Sequence, residues 1–175
     1  MTLFPQMKLA VIGHVEWVTF LKVDSLPKEG IISHSTTELE KPAGGGAVAA
    51  IKLAEITNSH VDFFTALGKD EIGERSEKML KKYNLNLYIS WRNQPTRKGI
   101  SMIDKNGERA ITVIGKRLQP CIKDNLPWQI IKEYDGIFVT ACDQFILNES
   151  RKAKTLLATP RIGIETLNKS LVKLD

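Results

Sequence analysis

The sequence predicts an α/β fold: a mostly parallel sheet with helices on both faces, extended by an antiparallel hairpin. Three observations predict it. Short apolar runs alternate with stretches of helical period. Three glycines, Gly44-Gly45-Gly46, run straight into the apolar stretch Ala47–Ile56. Asn106-Gly107 stands between two extended runs, a hairpin signal.

Lys8 to Ile12 reads as a short buried strand ended by Gly13. Gly13-His14-Val15-Glu16-Trp17 then lies at its carboxyl end, where open α/β sheets hold ligands, so His14 and Glu16 are candidate contacts. Val18–Val23 and Gly30–Glu40 read as extended segments. Asp24-Ser25-Leu26-Pro27-Lys28-Glu29-Gly30 supplies turn chemistry between them. The glycine run permits close backbone approach, and a helix N-terminus exposes unpaired N–H groups. Together they predict a bed for hydroxyls or an anion, or a tight turn feeding a buried helix.

Val61–Leu67 is a second apolar strand, followed by Gly68-Lys69-Asp70. Ile72, Met79, Leu80 and Tyr83 share a helical face, and Asn84 suits a left-handed helix end. Glu74 with Lys78 and Glu77 with Lys81 are favourably ordered pairs. Leu85, Leu87, Ile89 and Trp91 alternate as in a strand buried on one face. Lys98–Asp104 and Glu108–Ile114 form the hairpin. A short helix from Pro127 to about Tyr134, a strand at Gly136–Thr140, a helix at Phe145–Ala153 and a strand at Thr155–Thr159 follow. Pro160-Arg161 precedes a helix at Ile164–Lys169, and Leu171–Leu174 reads as one more strand, so the alternation predicts further cover beyond it.

The 175 residues suffice for one domain with a real core, 42% apolar and 26% charged. The net charge of +5 is dispersed, without a basic run or aromatic–basic stripe, which argues against a nucleic-acid partner. Leu9–Ile12 is far too short to span a membrane. Cys121 and Cys142 lack C-x-x-C spacing and read as reduced thiols, which predicts a cytoplasmic setting. No P-loop, G-x-G-x-x-G fingerprint, H-E-x-x-H pattern or G-x-S-x-G elbow is present, and His14, His34 and His60 are too scattered to predict a metal site.

The ordered motifs carry a resemblance. Asp24-x-Leu26-Pro27-x-x-Gly30, Ala43-Gly44-Gly45-Gly46-Ala47-Val48-Ala49, Phe63–Gly73 with its Gly68-x-Asp70-x-x-Gly73, and Asp104-x-x-Gly107-Glu108-Arg109 follow one another. In that order the chain resembles the N-terminal part of the ribokinase-like (PfkB) carbohydrate kinase family. The resemblance implies a Rossmann-like three-layer sandwich with a small β-lid, formed by segments of about 15–40 and 97–114. The C-terminal part of the fold would be missing from residues 1–175.

It also implies ATP- and Mg2+-dependent transfer of phosphate to a hydroxyl of a sugar or nucleoside. Gly44, Gly45, Gly46, Ala47 and Glu16 would meet the substrate. Gly68, Asp70 and Gly73 would shape the adjoining loop, Asp24 and Arg109 would belong to the lid, and the lid could pair two copies of the chain. Val18 stands where many relatives carry Asp and Ala47 where many carry Asn, both partners of sugar hydroxyls; Glu16 is the carboxylate available to replace one. The family's catalytic G-A-G-D segment is absent, so the resemblance implies no catalytic residue here and no phosphotransfer by this chain alone. The alternative is a non-catalytic metabolite-binding or dimerisation module.

Overall fold

The computed structural model describes residues 7–170 and 172–175. Its order begins with β1 (Leu9–Ile12), β2 (Glu16–Val23), β3 (Ser35–Ala43), α1 (Gly44–Thr57), β4 (Val61–Gly68) and α2 (Glu71–Leu80). Then come β5 (Leu85–Arg92), β6 (Lys98–Ile103), β7 (Arg109–Ile114), a 3-10 helix (Trp128–Glu133) and β8 (Gly136–Val139). The chain continues through α3 (Gln144–Ser150), β9 (Thr155–Ala158), a 3-10 turn (Pro160–Ile162) and α4 (Ile164–Ser170).

Five strands form an all-parallel sheet in the order β5-β4-β1-β8-β9. The other four form a separate sheet, β3-β2-β6-β7, with β2 and β6 parallel and both outer pairs antiparallel. Strand alternation divides the core of the parallel sheet into two layers. Val11, Val61, Phe63 and Leu67 pack with Ala47, Ala50 and Ala54 of α1. Ala10, Ile12, Phe64, Ile137 and Val139 pack on the other face with Trp128, Ile131, Ile146 and Leu147. Helices thus cover both faces, a three-layer sandwich with a small β-sheet appended.

Several local expectations shift. The glycines do not precede α1; they are its first turn, and Gly44 has φ of 86°. Gly30–His34 is not strand, because β2 runs out of register partners at Val23 opposite Ser35, and Ile31 and Ile32 stand exposed. The left-handed helix end is Asn58, with φ of 49°, and not Asn84. Helix α2 stops at Leu80, which leaves Tyr83 exposed; its buried stripe is Gly73, Ser76 and Leu80, small residues that admit a close approach. Strand β5 packs Leu85, Leu87, Ile89 and Trp91 against the α1 side of the core, as the alternation predicts, and is only partly buried because it is an edge strand. Helix α3 ends at Ser150, short of Ala153, where Arg151 caps it.

Of the strand expected at Leu171–Leu174, Leu171 lies outside the described residues, and Val172–Asp175 form no strand. Asp175 nevertheless docks beside β9: its N–H donates to the Leu156 carbonyl at 3.0 Å, and its carboxylate accepts from the Leu156 N–H at 2.8 Å.

Candidate substrate cleft

The parallel sheet reverses direction at β1. Strands β4 and β5 extend it on one side, β8 and β9 on the other, so the switch point lies between β1 and β8. Gly13 and Thr140 stand at the carboxyl ends of these two strands, and the first turn of α1 rests on them. A Cβ on Gly13 would lie 2.1 Å from Thr140 Oγ1 and 2.7 Å from Gly46 Cα; one on Gly46 would lie 2.6 Å from the Gly13 carbonyl carbon. Only glycine fits either place.

The four-stranded sheet faces this switch point across a cleft of about 470 Å³. Alternate residues of its strands turn inward: Glu16, Val18 and Phe20 from β2, Gly99 and Ser101 from β6, Arg109 and Ile111 from β7. Gly44, Gly45, Val48 and Lys52 contribute from α1, and Phe138, Thr140, Thr159 and Arg161 from the β8–β9 side.

Of the residues expected at the substrate or in the lid, Glu16, Gly44, Gly45 and Arg109 meet in one cleft, and Val18 lines it beside them. Gly46 and Ala47 are buried beneath it, so Ala47 is a core residue, and the side chain this turn presents to the cleft is Val48. Asp24 is exposed in the turn after β2, outside the lining. Val48, Ser101, Thr140, Thr159 and Arg161 were not anticipated. Their one sequence signal is position, since Thr140 and Thr159 directly follow parallel strands.

The helix start is not an open anion bed. The N–H groups of Gly46 and Ala47 donate to the His14 carbonyl at 3.2 and 3.3 Å. His14 Nε2 lies 3.4 Å from both the Gly45 N–H and Glu16 Oε1. It can accept from the first or donate to the second, and donation to a carboxylate is the stronger bond. Glu16 also pairs with Arg97 at 3.1 Å. The hydrogen bond from His14 holds its carboxyl below the usual range against the opposing effect of burial, and Arg97 and Arg117 add to this. Paired in this way, the Glu16 carboxylate is a weaker base than a free one.

Three lining hydroxyls, Ser101 Oγ, Thr140 Oγ1 and Thr159 Oγ1, are buried without any hydrogen-bond partner. Among the described residues, no group of three or more His, Cys, Asp or Glu could hold a metal ion. These residues therefore offer no all-protein metal cage. At the α1 start the Gly46 and Ala47 N–H groups are already bonded to the His14 carbonyl, so these two donors are not open to a phosphate.

Next to the cleft, Asp70 joins α2 to the loop that leads into β6. Its Oδ1 accepts from the Gly73 N–H and from Thr96 Oγ1, and its Oδ2 accepts from the Thr96 N–H, each at 2.7 Å. Gly68 and Gly73 are packed so closely here that a Cβ would lie 2.5 Å from Thr96 N and 2.1 Å from the Gly68 carbonyl oxygen, respectively. Asp70→Ala should cost about 2 kcal/mol in urea unfolding through loss of the cap and the Thr96 tie, and Asp70→Asn less. Burial pushes the Asp70 carboxyl up, but the bonds from Thr96 and Gly73 more than offset this and hold it below its usual range. Its contribution is then present above the ordinary Asp pKa and fades as pH falls through the lowered one.

The sequence profile of pfkB family carbohydrate kinases matches residues 6–161. A ribokinase of Dictyostelium discoideum is 32% identical over 109 residues, covering 61% of this chain and 34% of that protein. The crystal structure of a Thermotoga maritima ribokinase superposes with a TM-score of 0.63 at 20% identity, covering 94% of this chain and 63% of that one. The Arabidopsis thaliana ribokinase complexed with ribose and ATP superposes with a TM-score of 0.65 at 18% identity, covering 88% and 53%. The chain spans between about a third and two thirds of the length of these relatives.

Proposed function

The chain belongs to the pfkB family of carbohydrate kinases, and from that premise we propose that the cleft between its two sheets holds a sugar-like substrate by its hydroxyls. One observation carries this reading. Ser101, Thr140 and Thr159 are buried hydroxyls without partners, and all three line the same cleft. Buried polar groups are nearly always bonded, and a polyol both donates and accepts. The walls of Val18, Phe20, Ile111 and Phe138 suit the carbon face of a sugar ring and exclude water.

For the whole protein the proposed reaction is transfer of a phosphoryl group from ATP, with Mg2+, to a substrate hydroxyl. The Arabidopsis ribokinase is complexed with ribose and ATP together, which supports this for a relative. The work assigned to the residues of this chain is binding, orientation and exclusion of water. Phosphotransfer by these 175 residues alone is not expected, because they contain no G-A-G-D segment, and the Glu16 carboxylate is engaged by His14 and Arg97. The setting we assign is the cytoplasm, in keeping with free thiols at Cys121 and Cys142.

Isothermal titration with a panel of pentoses, hexoses and nucleosides, beside a coupled ADP-release assay, tests this. Saturable binding without ADP release is expected, and Thr140→Val should weaken binding about tenfold. Turnover by the pure chain would refute the assignment of binding alone, and absence of any binding would refute the cleft.

A second reading, a dimerisation module, draws on Leu39, Val113 and Ile114, which are exposed on the outer strands β3 and β7 of the small sheet. Sedimentation of the wild type against Val113→Lys separates it from the first.

A further inference from the structure

We propose that the cleft selects an anionic sugar, one bearing a phosphate or carboxylate group, over a neutral one; this rests on the reading of the cleft as the substrate site. Its lining holds four charged side chains: Glu16, Lys52, Arg109 and Arg161. Two are already compensated. Glu16 pairs with Arg97 at 3.1 Å, and Lys52 pairs with Glu55 at 2.6 Å. Among the described residues, Arg109 and Arg161 make no ion pair.

These two arginines reach the cleft from different sheets. Arg109 opens β7 in the four-stranded sheet, and Arg161 lies in the 3-10 turn after β9 of the parallel sheet. Arg117 adds a third cation beside the second, donating to the Arg161 carbonyl oxygen at 3.0 Å. The lining therefore carries two uncompensated positive charges and no uncompensated negative one.

The neutral contacts point the same way. Val18 and Val48 face the cleft from β2 and α1, and neither can bond a ring hydroxyl. Ring hydroxyls are left to Ser101, Thr140 and Thr159, none of which compensates the charge of the two arginines. A planar guanidinium fork matches phosphate and carboxylate oxygens in pairs, and two forks from facing sheets would close the cleft over an anion.

The test is titration calorimetry of the 175-residue chain with D-ribose, D-ribose 5-phosphate, D-ribonate and inorganic phosphate, at low and at about 0.15 M salt. Ribose 5-phosphate or ribonate should bind at least about tenfold more tightly than ribose, the advantage shrinking with salt. In Arg109→Ala and in Arg161→Ala the ratio of the ribose to the ribose 5-phosphate dissociation constant should collapse toward one. Arg109→Lys and Arg161→Lys should give intermediate ratios, since lysine keeps the charge and loses the fork. Both arginines are exposed, and a melting curve for each variant confirms that it folds.

Ribose binding as tightly as its phosphate would overturn the anionic preference and leave the sugar cleft standing. Ratios unmoved in both alanine variants would overturn the assignment to these arginines. Inorganic phosphate binding as well as the sugar phosphate would overturn selection of a sugar. If no sugar binds, charged or neutral, the cleft reading and the inference fall together.

Discussion

Gly46→Ala should destabilise the chain by about 3 kcal/mol, which lowers its melting temperature by about 6–12 °C at this size. The added Cβ would sit 2.6 Å from the Gly13 carbonyl carbon and 2.7 Å from the His14 nitrogen. Both are backbone atoms of the β1 exit, which is pinned in turn by the Gly13 N–H bond to Phe64 at 3.0 Å. No rotamer relieves such a clash, so the start of α1 must lift away from β1. The cost then reaches the site, because lifting breaks the bonds from Gly46 and Ala47 to His14 and opens the switch point. Gly45→Ala is the matched control. Its Cβ would meet only the His14 ring at 3.4 Å and Thr140 side-chain atoms at 3.5 and 3.6 Å, ordinary contacts. Its stability should stay within about 1 kcal/mol of wild type, while the methyl intrudes on the cleft and weakens ligand binding. Calorimetric melting of both variants decides the matter: equal melting temperatures would show that the close packing at Gly46 does not hold the helix start.

The same turn shows what sequence could and could not reveal. Three glycines before an apolar helical pattern mark a helix start, and the structure places one there. Successive helix residues are rotated by about 100°, however, so an error in phase changes which side chain faces the ligand. Ala47 is a contact only by the family resemblance; in the structure it is buried and Val48 lines the cleft. Strand parity was easier, because Glu16, Val18 and Phe20 must share a face once any one of them does. The far wall was hidden for another reason. Thr140, Thr159 and Arg161 reach the cleft only because β8 pairs with β1, and parallel pairing over such separations leaves no periodic trace. Asp62 illustrates the limit within the core. It sits buried in an apolar strand, where Tyr134 Oη and Asn86 Nδ2 donate to its carboxylate, and neither partner is near it in sequence.

Asp124→Ala should cost about 3 kcal/mol, because it removes the carboxylate paired with the largely buried Arg92 guanidinium and leaves it only the Ser90 hydroxyl and the Gln119 carbonyl as neutral acceptors. Asp124 lies in the connection between β7 and the 3-10 helix. Its two carboxylate oxygens accept from Arg92 Nη1 at 2.5 Å and Nη2 at 2.7 Å, a paired fork, and Oδ2 also accepts from the Cys121 N–H at 2.8 Å. Its side chain is 5% exposed and that of Arg92 23%, so water can do little to replace the partner. The same connection carries Ile122, whose N–H donates to Asp143, the N-cap of α3 at the carboxyl end of β8. Loosening Asp124 should therefore disturb the wall of the cleft that α3 supports. Asp124→Asn keeps one acceptor and should lose roughly half as much. Replacing both partners, Arg92→Met with Asp124→Leu, should recover most of the stability lost in either single variant, since no charge is then left unpaired. Acid provides an independent check. Burial pushes the Asp124 carboxyl up, but the bonds from Arg92, Cys121 and Ser90 outweigh it and hold the group below its usual range. Its stabilisation is complete above the ordinary Asp pKa and is lost as pH falls through the lowered one, so the stability gap between wild type and Asp124→Asn should narrow on acidification. Urea midpoints measured from about pH 7 down to about pH 3 read both effects. A single Asp124→Ala cost below about 1 kcal/mol would place the pair among surface ion pairs and leave Leu118, buried in this connection, and Trp128, buried at the start of the 3-10 helix, to hold it by packing alone.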